Sequence, residues 1–325
     1  MANDIPMTPT LGQIRALTPA FDSLIARDAT IELLAEGFTW TEGPAWIADG
    51  AYLLFSDVPE NRIHRWSREG GVSVFLDPSG YDGPDPSPFR EPGANGLVPG
   101  PGNSILVADH GNRAIARLDL ATRQKSFLAT DYRGRRFNSP NDLARARNGT
   151  IYFTDPPYGL AGLDASPLKE LPFNGVYKID PDGAVALLDD SISFPNGIIL
   201  SPDEQTLYVA CSDPDRAIWL AYALDSRGDV AGRRIFADAT ASVDPVRRPG
   251  LPDGMTIDAA GNLFATGPGG IIVFAPDGTM IGQISVGTAI ANCTFGEDGS
   301  TLFIAAHHRL ARIRTLTRAP HIGDA

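Results

Sequence analysis

Basic residues are in short supply: 27 Lys and Arg stand against 39 Asp and Glu among 325 residues, a formal net charge of −12. That deficit excludes the basic face a nucleic-acid binder needs and the cationic patch that holds a protein to anionic lipid. Cysteine is scarcer still. Only Cys211 and Cys293 are present, both in apolar runs, so no disulfide framework staples the chain and the two read as buried free thiols. No apolar run approaches 18 residues, which excludes a membrane-spanning helix. The N-terminus, MANDIPMTPTLGQIRALTP, lacks the basic-then-apolar order of a signal peptide. The expectation is a cytoplasmic protein with neither nucleic acid nor membrane as partner, and oligomeric state carries no signal here. Helical periodicity is also missing, so helices should be scarce, with one short one expected near residues 20–26. The GPGG at 267–270 fits neither a P-loop nor a dinucleotide fingerprint, and no Gly-x-Ser-x-Gly elbow for a serine esterase exists.

What the chain has in quantity is turn chemistry and short apolar runs. Its 34 glycines and 27 prolines punctuate six runs of one shape: LLFSD (53–57), ILVAD (105–109), IYFTD (151–155), LYVAC (207–211), LFATG (263–267) and LFIAA (302–306). Each is rich in branched and aromatic residues and bounded by turn signals, as a buried strand is. Upstream of each lies a second recurring element: TEGPAW, GANGLV, SPNDLA, FPNGII, LPDGMT and IANCTF. The polar residue of that element precedes the end of the strand by 14 or 15 residues in all six units, from Glu42 to Asp57, Asn95 to Asp109, Asn141 to Asp155, Asn196 to Cys211, Asp253 to Gly267 and Asn292 to Ala306. Gly-, Asn- and Asp-rich turns lie between, so each unit opens as a hairpin. A third strand follows in every unit and a fourth in five. The sixth unit lacks its fourth strand, which TIELLAE at 30–36 can supply.

That pattern predicts an all-β, six-bladed β-propeller with four-stranded blades and an N-terminal strand closing the last blade, an arrangement that leaves few exposed edges. The domain expectation is an N-terminal extension over 1–29, one propeller over 30–316 and a C-terminal tail over 317–325. Pro/Gly-rich insertions at 78–93, 159–172 and 238–250 are expected to lie over a face of the ring.

Radial symmetry sets Glu42, Asn95, Asn141, Asn196, Asp253 and Asn292 at one height around the central channel. Six oxygen-bearing side chains without a Lys or Arg among them make a hard-oxygen pocket, suited to Ca²⁺, Mg²⁺ or Mn²⁺ more than to zinc. Any single Asn-Gly or Asp-Gly in the series reads equally well as a tight turn. All of them at equivalent positions, with Glu42 among them, do not.

The stretches TEGPAW, EPGANGL, NSPNDL, IYFTDPPYG, FPNGIILSPDEQTLYVA, LPDGMTIDAAGNLFATGPGG and ANCTFGEDGSTLFIA resemble the gluconolactonase/regucalcin (senescence marker protein) family, most of all its bacterial gluconolactonase branch, from about residue 20 to 315. The resemblance implies a six-bladed propeller, one divalent cation in the channel and hydrolysis of a small-molecule lactone. It implies Glu42, Asn141, Asn196 and Asp253 as metal ligands, with Asn141 facing substrate in the alternative. The cation expected first is Ca²⁺, with Mn²⁺, Mg²⁺ or Zn²⁺ as alternatives. Regucalcin-type members carry an Arg two residues before that Asn to bind sugar; here the position is Ser139, so their substrate preference does not carry over.

Lactone hydrolysis needs an electrophile, a water and a base, and a large hard cation acidifies water weakly. Asp253 is the first choice for the base and Glu42 the second. His110, just past the second blade's inner hairpin, is a candidate base or substrate donor. Asn95, Asn141, Tyr158 and Asn292 complete the expected substrate contacts. The alternatives are another lactone or a phosphotriester as substrate, or a non-catalytic propeller that binds a ligand or calcium.

Overall fold

A computed structural model describes residues 10–320, and the radial architecture expected from the repeats is the one observed. Blade 1 comprises Thr41–Ile47, Tyr52–Asp57, Arg62–Ser67 and Gly71–Leu76. Blade 2 comprises Ala94–Pro99, Ser104–Asp109, Ala114–Asp119 and Lys125–Ala129, and blade 3 Leu143–Arg145, Ile151–Asp155, Gly175–Ile179 and Val185–Asp189. Blade 4 comprises Pro195–Leu200, Thr206–Asp213, Arg216–Leu224 and Val230–Asp238, and blade 5 Met255–Ile257, Leu263–Gly267, Gly270–Phe274 and Met280–Ser285. Blade 6 is built from Asn292–Gly296, Thr301–Ala306 and Arg309–Arg314, completed by Ile31–Glu36, which pairs antiparallel with Arg309–Arg314. The chain is a six-bladed β-propeller.

The second strand of each blade is sandwiched between neighbouring blades. It therefore buries both faces and reads as a continuous apolar run; Leu53, Leu54 and Phe55 are all fully buried. The core is distributed over six interblade layers. Leu54 and Ile63 of blade 1 meet Leu97 and Val107 of blade 2, for example, and Trp46 and Leu53 meet Phe303 and Leu310 across the closing interface. Cys211 and Cys293 are buried free thiols inside two of these layers.

Helix is nearly absent among the described residues. The short helix expected near 20–26 is instead a five-residue 3₁₀ turn over Pro19–Ser23. A proline sets its first turn, and the segment is held by packing rather than by helical length. Phe21, Leu24 and Ile25 plug the layer between blades 5 and 6, with Phe21 seated on Gly282, where a Cβ would fall 2.0 Å from its ring. The chain before this turn grips the same two blades. Thr10–Leu11 pairs with Ile31–Glu36, and Gln13–Ala16 pairs with Met280–Ser285. Gly12 is the pivot between them: its φ is +64°, and a side chain there would collide with the Ser285 carbonyl. Phe21→Ala is expected to lower stability by about 3–5 kcal/mol in urea unfolding. A loss below about 1 kcal/mol would mean that the plug is dispensable.

The first strands run away from the ring residues, so the turns after the second strands and the long insertions share the mouth face. Residues 78–93 and 159–172 brace one another there through a Phe89–Leu160 bridge and an Ala161 N–H to Pro88 carbonyl bond of 2.9 Å. Residues 238–250 fold onto blade 5, where the Gly269 N–H donates to Pro249 at 3.0 Å. No helix of the described residues is long and apolar enough to cross a membrane. Of the expected tail, residues 321–325, with His321, lie outside the described residues, as do residues 1–9.

Candidate active site

At the mouth the first strands of five blades depart from regular pairing, while blade 6 pairs regularly from Asn292 onward. Register slips between Glu42 and Ala45, between Ala94 and Leu97 and between Pro195 and Ile198, as a bulge does when it re-aims a side chain. In blades 3 and 5 the ladder begins just inside the ring, at Leu143 and Met255. Four ring residues are followed by glycine, and the reason is interblade contact rather than chain reversal. A Cβ on Gly43 would lie 2.1 Å from the Asn95 carbonyl oxygen, one on Gly197 2.2 Å from that of Asp253, and one on Gly254 2.0 Å from the Asn292 carboxamide carbon. Each glycine thus lets one blade's ring residue touch the next blade's. Hydroxyls near the ends of the second strands tie the same seam: Ser56 donates to Asn95 O at 2.8 Å, Thr154 to Asn196 O at 2.7 Å and Thr266 to Ala291 O at 3.2 Å.

The six ring residues stand at or just before the start of their blades' first strands. Five are buried, and Asp253 is half-buried. Their amides, however, are not equivalent. Asn196 donates its Nδ2–H to Ser212 Oγ at 2.8 Å, and Ser212 in turn donates to the Pro252 carbonyl, next to Asp253. Asn95 Nδ2 lies 3.2 Å from His110 Nε2. In both, the amide nitrogen has a side-chain partner, while the oxygen accepts no hydrogen bond among the described residues. Asn292 does the reverse. Its oxygen accepts the Cys293 N–H at 2.8 Å, and its Nδ2–H donates to Glu42 Oε2 at 3.2 Å. Asn292 therefore steadies Glu42, which also accepts the Gly43 N–H at 2.9 Å. Asn141 is fixed through its backbone, its N–H on Thr154 O at 2.9 Å and its carbonyl accepting from Gly96 at 2.8 Å.

Burial pushes Glu42 up to about 8; Asp142 and Glu91 add to the rise, and the Gly43 and Asn292 donors oppose it. Burial raises Asp253 well above the usual carboxylate range as well, with the charges of Glu42, Asp142 and Glu91 contributing. Two recessed carboxylates that resist ionisation, surrounded by amide oxygens, form a site that favours a compensating cation. Among the described residues no three His, Cys, Asp or Glu side chains form a metal cluster, so any cation held here would draw on amide oxygens as well.

Tyr158 is half-buried and stacked on Phe194 at 5.7 Å, and burial raises its hydroxyl pKa. Ser139 is fully buried and knits the neighbouring loop: its Oγ donates to Pro156 O at 2.6 Å and accepts the Gly159 N–H at 2.9 Å. An arginine there would have no space to reach the mouth.

Three contributors to the site escaped the sequence reading. Ser212 follows the end of a recognised strand, Asp142 follows a recognised ring residue, and Glu91 comes from the 78–93 insertion. Asp142 lies beneath the ring, accepts the Leu143 N–H at 2.9 Å, and is pushed by burial up to about 7. Below it the channel widens into a cavity of about 420 Å³, walled by Trp46, Leu97, Leu143, Ile198, Met255 and Phe295. Asp142 was legible as the residue after a ring Asn, where the other blades place Gly or Cys. Glu91 sits in EPGANGL but carries no periodic signal.

Residues 40–308 match the family described as SMP-30/Gluconolactonase/LRE-like region. A gluconolactonase of Zymomonas mobilis subsp. mobilis is 48% identical over 314 residues, 95% of this chain and 87% of that protein. Pentonolactonase XacC of Haloferax volcanii is 26% identical, with 78% and 77% of the two chains covered. Among solved structures, a gluconolactonase from Xanthomonas campestris superposes with a TM-score of 0.79 at 33% identity, over 96% of this chain and 99% of that one.

Proposed function

The chain belongs to the SMP-30/gluconolactonase/LRE-like family, and we propose that it hydrolyses a sugar lactone such as glucono-1,5-lactone, with one divalent cation held by Glu42, Asn141, Asn196 and Asp253. The observation that carries this reading is the pair of recessed carboxylates, Glu42 and Asp253, each raised by burial and by neighbouring carboxylates, Asp142 and Glu91 among them. The donors fit such a cation. They are all oxygens, and the tie from Asn196 Nδ2 to Ser212 leaves that amide's oxygen free. The set suits Ca²⁺ first and Mn²⁺ or Mg²⁺ next. The chemistry such a cation supplies when bound is Lewis acidity toward the lactone carbonyl and compensation of negative charge.

The two carboxylates differ in freedom, and this divides their work. Glu42 is pinned by the Gly43 N–H and the Asn292 amide. Asp253 is half-buried, and among the described residues no donor holds its carboxylate, the Gly254 N–H going instead to the Ala291 carbonyl at 2.7 Å. Asp253 is therefore the base: it takes a proton as water adds to the carbonyl carbon. The ring C–O bond then breaks, the proton passes to the departing ring oxygen, and the product is the open-chain hydroxy acid. Asn95, Asn141 and Tyr158 face the substrate's hydroxyls.

The decisive test is proton release from glucono-1,5-lactone by chelator-stripped protein, with and without added Ca²⁺, Mn²⁺ or Zn²⁺. Restored hydrolysis supports the reading; no hydrolysis with any cation removes it. A second expectation concerns the ring seam. Gly254→Ala would push the Asn292 carboxamide off Glu42 and misplace that carboxylate. Activity should fall by about 10²-fold, while circular dichroism still reports a folded all-β protein. Full activity in this variant would show that Asn292 does not position Glu42.

A further inference from the structure

His110 is wholly buried between two partners of different kinds. Its Nε2 lies 3.2 Å from Asn95 Nδ2, and its Nδ1 makes no hydrogen bond among the described residues, with Glu91 Oε2 standing 3.4 Å away as an ion-pair neighbour. An amide nitrogen only donates, so Nε2 must accept, and the ring proton sits on Nδ1 facing the carboxylate. Glu91 is set there by the insertions. Its N–H and that of Arg90 both reach the Gly159 carbonyl, at 3.3 and 3.0 Å, and Gly159 packs so closely on His110 that a Cβ would fall 2.8 Å from the histidine's own. The second carboxylate oxygen, Oε1, pairs with Arg90 Nη2 at 3.2 Å, which leaves Oε2 for the imidazole.

We propose that Glu91 is a positioning residue for substrate recognition: it fixes His110 as the Nδ1–H tautomer, and through it orients Asn95 so that the amide oxygen faces the mouth and accepts a hydroxyl of the lactone. The substrate contact rests on the lactonase reading; the tautomer relay does not. Without Glu91 the buried Nδ1 loses the carboxylate 3.4 Å away, whose negative charge favours a proton on that nitrogen. The ring proton then moves to Nε2, where it cannot face an N–H. Asn95 rotates its amide and offers the channel a donor in place of an acceptor. Sugar hydroxyls would lose a contact made in ground state and transition state alike, which raises KM and leaves kcat nearly unchanged.

The test reads the tautomer directly, in full-length protein labelled with ¹⁵N-histidine. Long-range ¹H–¹⁵N spectra assign His110 as the signal lost in His110→Gln. The wild type is expected to show the Nδ1–H pattern and Glu91→Ala the Nε2–H pattern. Glu91→Gln is expected to keep Nδ1–H, because its amide oxygen can still accept. In kinetics Glu91→Ala should raise KM for glucono-1,5-lactone by about 3–10-fold, the loss of one hydrogen bond, and Glu91→Gln should restore most of it. An Nε2–H or doubly protonated His110 in the wild type overturns the proposal, as does an unchanged tautomer in Glu91→Ala. A fall in kcat with KM unchanged overturns the assignment to binding. A wild type inactive on every lactone would instead defeat the lactonase reading, while the spectra still decide the relay.

Discussion

Asp253→Asn lowers kcat for glucono-1,5-lactone by about 10²–10⁴-fold at saturating cation, the span that general-base catalysis contributes. The substitution is nearly isosteric, so the seam against Gly197 and the backbone bond from Asp253 N–H to Thr266 O at 3.3 Å survive. An asparagine oxygen can still face a cation, but it cannot take a proton from water. Loss of one negative charge also weakens cation affinity, so the kinetics must be run across a cation titration with binding followed by calorimetry. The companion Glu42→Gln should act chiefly on affinity, because Glu42 is already held by Gly43 and Asn292. If Asp253→Asn kept wild-type kcat once saturated with cation, Asp253 would not be the base and Glu42 would take its place.

The cation-free protein should lose thermal stability as pH rises, and the cation should restore it most strongly at high pH. Glu42 is raised to about 8, Asp142 and Asp155 to about 7, and Asp253 well above the carboxylate range, all mainly by burial. Each folded-state pKa exceeds the unfolded value near 4. Between those values the folded chain binds more protons than the unfolded chain, so stability falls with rising pH. Their contribution is complete below about pH 4 and is lost through pH 7–8. A divalent cation competes with the protons on Glu42 and Asp253 and binds the ionised site best. At 100 times its dissociation constant it adds about 2.7 kcal/mol, roughly 5 °C in Tm for a chain of this size. Differential scanning calorimetry with and without chelator at pH 5.5 and 8.5 reads both effects. A chelator effect that is equal at the two pH values, or larger at 5.5, would separate the carboxylates from the cation site.

The architecture was legible because burial on both faces writes each second strand as an unbroken apolar run, and because a ring enforces equal spacing between ring residue and strand end. The ring residues were legible for the same reason, as six positions at one phase of a repeat. Their glycines were visible but admitted the wrong physics. Asn-Gly and Asp-Gly look like hairpin turns, whereas here Gly43, Gly197 and Gly254 make room for a neighbouring blade, a contact between residues 38 to 56 positions apart. Thr10–Leu11 and Gln13–Ala16 left no pattern, being short edge strands that depend on partners already in place. Glu91 was hidden because irregular insertions carry no period; only the folded mouth brings it to His110.

The closing strand also sets a schedule for biosynthesis. Ile31–Glu36 leaves the ribosome some 270 residues ahead of its partner Arg309–Arg314. At the usual 5–20 residues per second the nascent strand waits on the order of 15–60 s for it. Blades 1 to 5 can each pair their own strands during that interval, while the sixth cannot begin without the C-terminal segments. Through that time Ile31, buried in the finished ring, stands open on an edge that invites pairing with other chains. Thr10–Leu11 can shield one side of that edge from the outset, since it needs only Ile31 and Glu32 as partners. The opposite edge is freed from risk only when the last blade arrives.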